Sequence, residues 1–181
     1  MRIGDRILQR WRIAKAARWI KPGARLLDIG CADGAIFQYL SDRVSSGIGI
    51  DPNVKKESSI GRGRMVSGFF PNDLPEHEPF DAITLLAVLE HIPSTSQPNL
   101  AAECAKYLKP GGKLIVTVPS PLVDQILKVL KVIKIVDGMS LEEHYGYHPN
   151  QTAEIFENAR LRLIKHHRFQ LGLNHLFVFE K

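Results

Sequence analysis

The residues best suited to chemistry fall into three short segments. The first is Leu26-Leu27-Asp28-Ile29-Gly30-Cys31-Ala32-Asp33-Gly34, an apolar run that ends in a carboxylate and turns through glycines into a helix pattern. Glycine permits a tight turn and close approach of the backbone to a ligand. The helix start adds unsatisfied N–H donors, against which a ligand carboxylate could sit. A glycine turn with no ligand is the plainer alternative. The second segment is Ile48-Gly49-Ile50-Asp51-Pro52, whose acid lies 21 positions after Gly30. A carboxylate at the end of the second strand can accept hydrogen bonds from both hydroxyls of a ribose, though Asp51 could also cap the turn ahead of Pro52. Together the two segments fit a nucleoside-bearing cofactor. They do not by themselves choose between a nicotinamide dinucleotide and S-adenosylmethionine. The glycine fingerprint of dinucleotide enzymes fails here, because Ala32 and Ala35 occupy its second and third glycine positions.

The third set is centred on histidine. Glu90-His91 follows an apolar run, and Glu142-Glu143-His144-Tyr145-Gly146-Tyr147-His148-Pro149 gathers imidazoles, phenols and acids in one stretch. Imidazole changes charge near neutral pH and is the usual choice for removing a proton. His91 is therefore the first candidate base, with Glu90 beside it, and His144 and His148 follow. His91 could instead serve the turn at Ile92-Pro93. Glu90, His91, His144 and His148 could also gather a metal, but imidazole and carboxylate clusters often form without one. No metal is expected.

The elements that must position these residues alternate between strand and helix patterns, which implies a mostly parallel sheet. An amphipathic helix over residues 3–20 stops at Lys21-Pro22-Gly23. Strands follow at 25–29, 47–50, 64–67, 80–86 and 113–118, with helices at 33–41 and 98–108, the latter closed by Lys109-Pro110-Gly111-Gly112. A second amphipathic helix over 122–136 carries Val123, Ile126, Val129, Leu130, Ile133 and Val136 on one face and Lys128, Lys131 and Lys134 on the other. It reads as a cap over the site, with a membrane-surface helix as the second reading. An irregular stretch, 137–150, a helix at 151–159 and two apolar runs, 161–169 and 173–179, finish the chain as an antiparallel hairpin.

Length and composition set the frame. With 181 residues and 44% hydrophobic content the chain fits one domain with an ordinary core. Within it, residues 1–22 form the N-terminal helix, 23–120 the cofactor core, 121–150 a substrate lid and 151–181 the closing helix and hairpin. Cys31 and Cys104 are far apart and are expected as free thiols. The first twenty residues are broken by Arg2, Asp5, Arg6, Arg10, Arg12, Lys15 and Arg18, so neither a secretion signal nor a membrane span is expected, and the cytoplasm is the expected location. A net charge of +5 leaves room for an anionic partner, although the cluster at the N-terminus reads first as the solvated face of a helix.

Over residues 24–120 the sequence resembles the class I S-adenosylmethionine-dependent methyltransferases. Asp28, Gly30 and Gly34 match that family's glycine-rich first motif, and Asp51 its ribose-binding acid. Phe80-Asp81-Ala82-Ile83-Thr84, with the following segment to His91, looks like its fourth-strand motif. Leu108-Lys109-Pro110-Gly111-Gly112-Lys113-Leu114 looks like its helix-to-fifth-strand motif, and the closing hairpin like its reversed last strand. The resemblance implies a doubly wound, mostly parallel seven-stranded α/β sheet with a C-terminal antiparallel hairpin and helices on both faces. It also implies S-adenosyl-L-methionine held by Asp28, Gly30, Cys31, Ala32, Gly34, Asp51, Pro52, Asn53, Gly68, Phe69, Leu86 and Ala87.

Three departures stand out. Ala32 replaces a frequent glycine, Gly68-Phe69-Phe70 stands where the family often has an acid against the adenine amino group, and residues 71–79 are too proline-rich for the usual helix. That side of the sheet is expected to be partly uncovered. The expected activity is methyl transfer to a small-molecule or lipid-linked acceptor, with oxygen as the preferred nucleophile. The alternatives are a non-catalytic cofactor-binding regulator, an RNA 2′-O-methyltransferase and, least favoured, a nicotinamide oxidoreductase. Nucleic acid is disfavoured as a partner, peripheral membrane contact through 122–136 is allowed, and a monomer or homodimer is expected.

Overall fold

The computed structural model describes residues 3–75, 78–120 and 148–181. Eight strands form one mixed sheet: β1 (Ala24–Ile29), β2 (Val44–Asp51), β3 (Ser58–Ile60), β4 (Gly63–Ser67), β5 (Phe80–Leu86), β6 (Leu108–Pro119), β7 (Arg162–Phe169) and β8 (Asn174–Glu180). Their order is β3-β4-β2-β1-β5-β6-β8-β7. The run from β4 through β2, β1 and β5 to β6 is parallel, and β8 pairs antiparallel with both β6 and β7. This is the mostly parallel sheet with a late hairpin that the sequence implies. It has one strand more than expected, because the three-residue β3 adds an antiparallel edge beside β4. Ser58-Ser59-Ile60 is too short and too polar to show a strand period.

Side chains alternate across the sheet and build a core on each face. Leu26, Ile115 and Val178 point to one face, where they meet Ile13, Ala16 and Ile20 of the N-terminal segment and Ile36, Phe37 and Leu40 of α2 (Ala35–Leu40). The helix α1 (Ile3–Ala17) lies on this side. Their neighbours Leu27, Leu114 and Phe179 point to the other face, against Leu100, Ala101 and Cys104 of α3 (Gln97–Tyr107) and Phe156 of α4 (Gln151–Asn158). The Phe37 ring packs flat on the paired glycines of β2 and β4. A Cβ would come within 2.3 Å of that ring at both Gly47 and Gly63.

The proline-rich connection from β4 to β5 contains no helix among the described residues, as its composition predicts. The sheet beneath is nevertheless covered, in contrast to the expectation. Leu74 is buried there, and Phe70 packs edge-on to Tyr107 at 5.4 Å between ring centroids. Both cysteines are free and buried. Among the described residues no helix is long and apolar enough to cross a membrane. The expected cap helix at 122–136, and the loop to 147 with His144, lie outside the described residues.

Candidate cofactor site

The strand order reverses between β1 and β5, since the chain winds outward from β1 through β2 to β4 and then resumes on the other side at β5. Such a reversal leaves a crevice at the strand carboxyl ends where ligands bind in open α/β sheets. Here it is a cavity of about 820 Å³, within the range of small-molecule and cofactor sites.

Its floor is Asp28, at the end of β1 and 5% exposed. The Thr84 hydroxyl donates to Asp28 Oδ1 at 2.6 Å. Burial pushes the Asp28 carboxyl up to about 7, the Thr84 hydrogen bond opposes this, and the charges of Asp51 and Asp33 reinforce it. A carboxyl poised near neutrality in a cleft is a hallmark of a functional site, and a cationic ligand group beside it would be stabilised as the carboxylate forms.

Next comes the turn. Gly30 has φ +74, and a Cβ there would lie 2.3 Å from Val88 Cγ2, so only glycine fits. Ala32 has φ +46, the left-handed region that costs a non-glycine residue about 1 kcal/mol or more. Asp51, at the end of β2 and 7% exposed, anchors this turn: Oδ2 accepts the Ala32 N–H at 3.0 Å and Oδ1 accepts the Asn53 N–H at 2.8 Å. The two readings of Asp51, turn clamp and ligand acid, are therefore compatible, because each carboxylate oxygen offers a further acceptor site and the residue lines the cavity.

Of the residues implied for cofactor binding, Asp28, Gly30, Cys31, Ala32, Asp51 and Pro52 line this cavity, together with Asn53, Gly68, Phe69, Leu86 and Ala87. Gly34 is not on the wall. It precedes α2 at φ +67, and a Cβ there would come within 2.8 Å of Ile60 Cδ1 and 3.0 Å of Met65 Sδ, so the turn needs glycine for its own packing. Burial raises the Cys31 thiol far above its usual range, so it acts as a small apolar group. The helix expected from residue 33 begins at Ala35, and Asp33 Oδ1 already accepts the Ala35 N–H at 3.3 Å, so the start of α2 carries its own anion.

The histidine candidates separate. His91 ends a single 3-10 turn (Leu89–His91) after β5 and lines the cavity. Glu90, its neighbour, is buried at 2% and is not on the cavity wall. His148 is exposed just ahead of α4 and is not on the wall either. Among the described residues no group of three or more potential ligands could hold a metal.

Sequence reasoning missed α1 as a wall of the cavity. Leu8, Gln9, Arg12 and Ile13 face the cavity, and Gln9 Nε2 donates to Asp33 Oδ1 at 2.9 Å. The i, i+4 spacing of Leu8 and Arg12 could have suggested a shared face. Instead Arg12 was hidden among six other charges in the first twenty residues.

This geometry accords with the comparisons. The family description "Methyltransferase domain" matches residues 4–170. The chain belongs to the class I S-adenosylmethionine-dependent methyltransferases. Among curated relatives, the ubiquinone biosynthesis O-methyltransferase of Xanthomonas campestris pv. campestris (strain B100) is 34% identical over 113 residues, covering 56% of this chain and 46% of that protein. This methyltransferase chain thus spans about half the length of the curated relatives it matches. In fold it is similar to a chain from the complex between the Haloferax volcanii Trm112 methyltransferase activator and a methyltransferase, with a TM-score of 0.70, 17% identity, and 94% and 89% of the two chains covered. It is likewise similar to a TehB-like SAM-dependent methyltransferase from Corynebacterium glutamicum, with a TM-score of 0.67, 19% identity, and 98% and 97% covered. The cofactor of this family is S-adenosylmethionine, and the cavity has the volume, the acid and the close-approach turn to hold it.

Proposed function

We propose that this protein transfers the methyl group of S-adenosylmethionine to an oxygen of a small, amphiphilic or lipid-linked acceptor. The observation that carries the reading is the cavity at the β1–β5 reversal, where Asp51, the Gly30 turn and the Asp28 floor meet an apolar wall of Phe69, Phe70, Val88 and Ile92. Bound there, the cofactor supplies a methyl group on a sulfonium, already electrophilic and with a neutral leaving group.

The chain's own residues then have four tasks. Asp51 accepts the ribose hydroxyls through the acceptor sites left free by Ala32 and Asn53. The Gly30–Ala32 backbone lies alongside the methionine portion, and Arg12 of α1 pairs with its carboxylate in preference to the start of α2, where Asp33 already stands. Gly68 and Phe69, at the end of β4, wall the adenine with backbone and ring in place of an acid. His91 takes the acceptor's hydroxyl proton, since an oxygen nucleophile must lose it in the transition state. Alignment and exclusion of water supply most of the remaining acceleration.

The O-methyltransferase name of the curated relatives supports oxygen as acceptor, and the apolar wall supports an amphiphilic substrate over a free nucleotide. The test is direct. S-adenosylhomocysteine should raise the melting temperature where NAD and NADP do not. Methyl-labelled cofactor incubated with phenolic and catecholic acceptors, with and without a prenyl chain, should label the prenylated ones faster. Label appearing only on RNA would overturn the reading.

A further inference from the structure

Four of the six large apolar side chains that the described residues expose lie in one region. Ile7, Leu8 and Trp11 of α1 are 58%, 40% and 47% exposed, and Leu171, at the tip of the β7–β8 hairpin, is 99% exposed. The hairpin tip is tied to the helix, because Gln170 Nε2 donates to the Leu8 carbonyl at 3.2 Å. Positions 7, 11 and 15 are spaced to share one stripe of α1, so Lys15 continues the line begun by Ile7 and Trp11, and Arg18 follows in the turn just after the helix. Both cations open onto a cleft of about 340 Å³ lined by Lys15, Arg18, Trp19, Lys165, His167 and Leu176. No acid lines it.

An apolar tip flanked by lysine, arginine and tryptophan is the composition of a segment that rests in a membrane interface. Cations on β7 alone would have a simpler account, since charge on an edge strand keeps sheets from pairing. That account leaves out Lys15 on the helix, Arg18 in the turn after it, and the exposed Ile7, Trp11 and Leu171. A nucleic acid would satisfy the cations and stack on Trp19, but it offers nothing to the aliphatic side chains. A symmetric dimer through this patch would bring the two cation clusters face to face. We propose that the outer face of α1 and the β7–β8 tip dock this protein on an anionic phospholipid surface. The same helix lines the cofactor cavity with Leu8, Gln9, Arg12 and Ile13, so docking would set the cavity mouth beside the bilayer. The docking itself does not depend on the acceptor or on turnover.

The experiment is flotation of the full chain with vesicles of phosphatidylcholine, alone or with about 30% phosphatidylglycerol. Binding to the anionic vesicles alone is expected, with loss on raising the salt, and a blue shift of tryptophan emission from Trp11 and Trp19. Lys15→Glu with Arg18→Glu should reduce partitioning by roughly tenfold or more. Leu171→Ser, at a fully exposed tip that folding does not need, and Trp11→Ser should each reduce it by several-fold. All variants should keep the wild-type melting shift with S-adenosylhomocysteine, which shows that they are folded. The proposal is overturned if the chain fails to float with anionic vesicles, or if these variants float as well as the wild type. It is also overturned if the chain proves to be a dimer whose association the patch variants abolish, or if it retains RNA but not vesicles.

Discussion

Asp51 holds Ala32 in a conformation that only glycine adopts freely: its Oδ2 accepts the Ala32 N–H at 3.0 Å while Ala32 stands at φ +46. Asp51 Oδ1 accepts from Asn53 at the same time. An asparagine side chain at this position would offer one acceptor oxygen for two N–H groups and an alanine none, so the two variants should grade. Asp51→Asn should lower stability by about 1 to 2 kcal/mol and Asp51→Ala by about 2 to 4, because buried donors are left unmet. Both should weaken S-adenosylhomocysteine by roughly tenfold or more. Urea melts and calorimetry on the same samples separate the two roles. Lost stability with intact affinity would leave Asp51 as a turn clamp alone.

Ala32 itself supplies the converse case. An alanine-to-glycine change in an ordinary helix costs about 1 kcal/mol. At Ala32 the relief of positive φ should offset the extra freedom of the unfolded chain, so Ala32→Gly should leave stability unchanged or raise it by up to about 1 kcal/mol. A clear fall in the urea midpoint would show that the turn is unstrained.

Gly30 tests the same turn from its other side. A side chain there meets Val88 before it meets any ligand, since a Cβ would sit 2.3 Å from Val88 Cγ2. Gly30→Val should therefore unfold or severely destabilise the chain, by about 3 kcal/mol or more. Gly30→Ala should be partly rescued by Val88→Ala. Absence of rescue in thermal melts would place the whole cost in the backbone conformation.

How much of this was legible beforehand follows from how local each signal is. The Asp28–Gly34 segment and Asp51 could be read because strand, turn and acid lie within a few residues of one another and chemistry fixes their types. Gly34 matches the motif yet faces Ile60 and Met65, since a motif records which residue type the turn needs and not which way it looks. Arg12 was missed because it reaches the cavity only when α1 packs over β5 and β6 and against α2. Covering of the sheet by Phe70 and Leu74 was missed because the loop that carries them has no period to read. Glu90 and His91 are adjacent in sequence, but the 3-10 turn buries one and sets the other on the cavity wall.

Asp28 predicts a pH dependence. Its carboxyl is raised from an ordinary 3.8 to about 7 by burial. The folded chain thus keeps a proton that the unfolded chain has lost, and this group's contribution to stability falls as pH rises through that window. The cofactor's cationic groups favour the carboxylate, so binding should release a proton near pH 6.5 and affinity should rise by roughly three- to tenfold between pH 6 and 8. Asp28→Asn should flatten the profile, whereas His91→Gln should keep it. Calorimetry in two buffers of different ionisation enthalpy would detect the released proton. A flat wild-type profile would mean that no cation approaches Asp28.

His91 is the proposed base. It is the histidine that the described residues place on the cavity wall, at the turn after β5, whereas His148 is exposed and off the wall. If His91 removes the acceptor's proton, His91→Ala should lower kcat by roughly a hundredfold while cofactor affinity stays nearly constant, because base catalysis acts in the transition state. The loss should shrink for acceptors whose hydroxyl is more acidic, since they need less help to ionise. His148→Ala should change kcat little. A purely structural His91 would show the same loss for every acceptor, together with a lowered melting temperature. Full turnover in His91→Ala would mean that the acceptor reacts without a base at this position, aligned by the cavity wall alone.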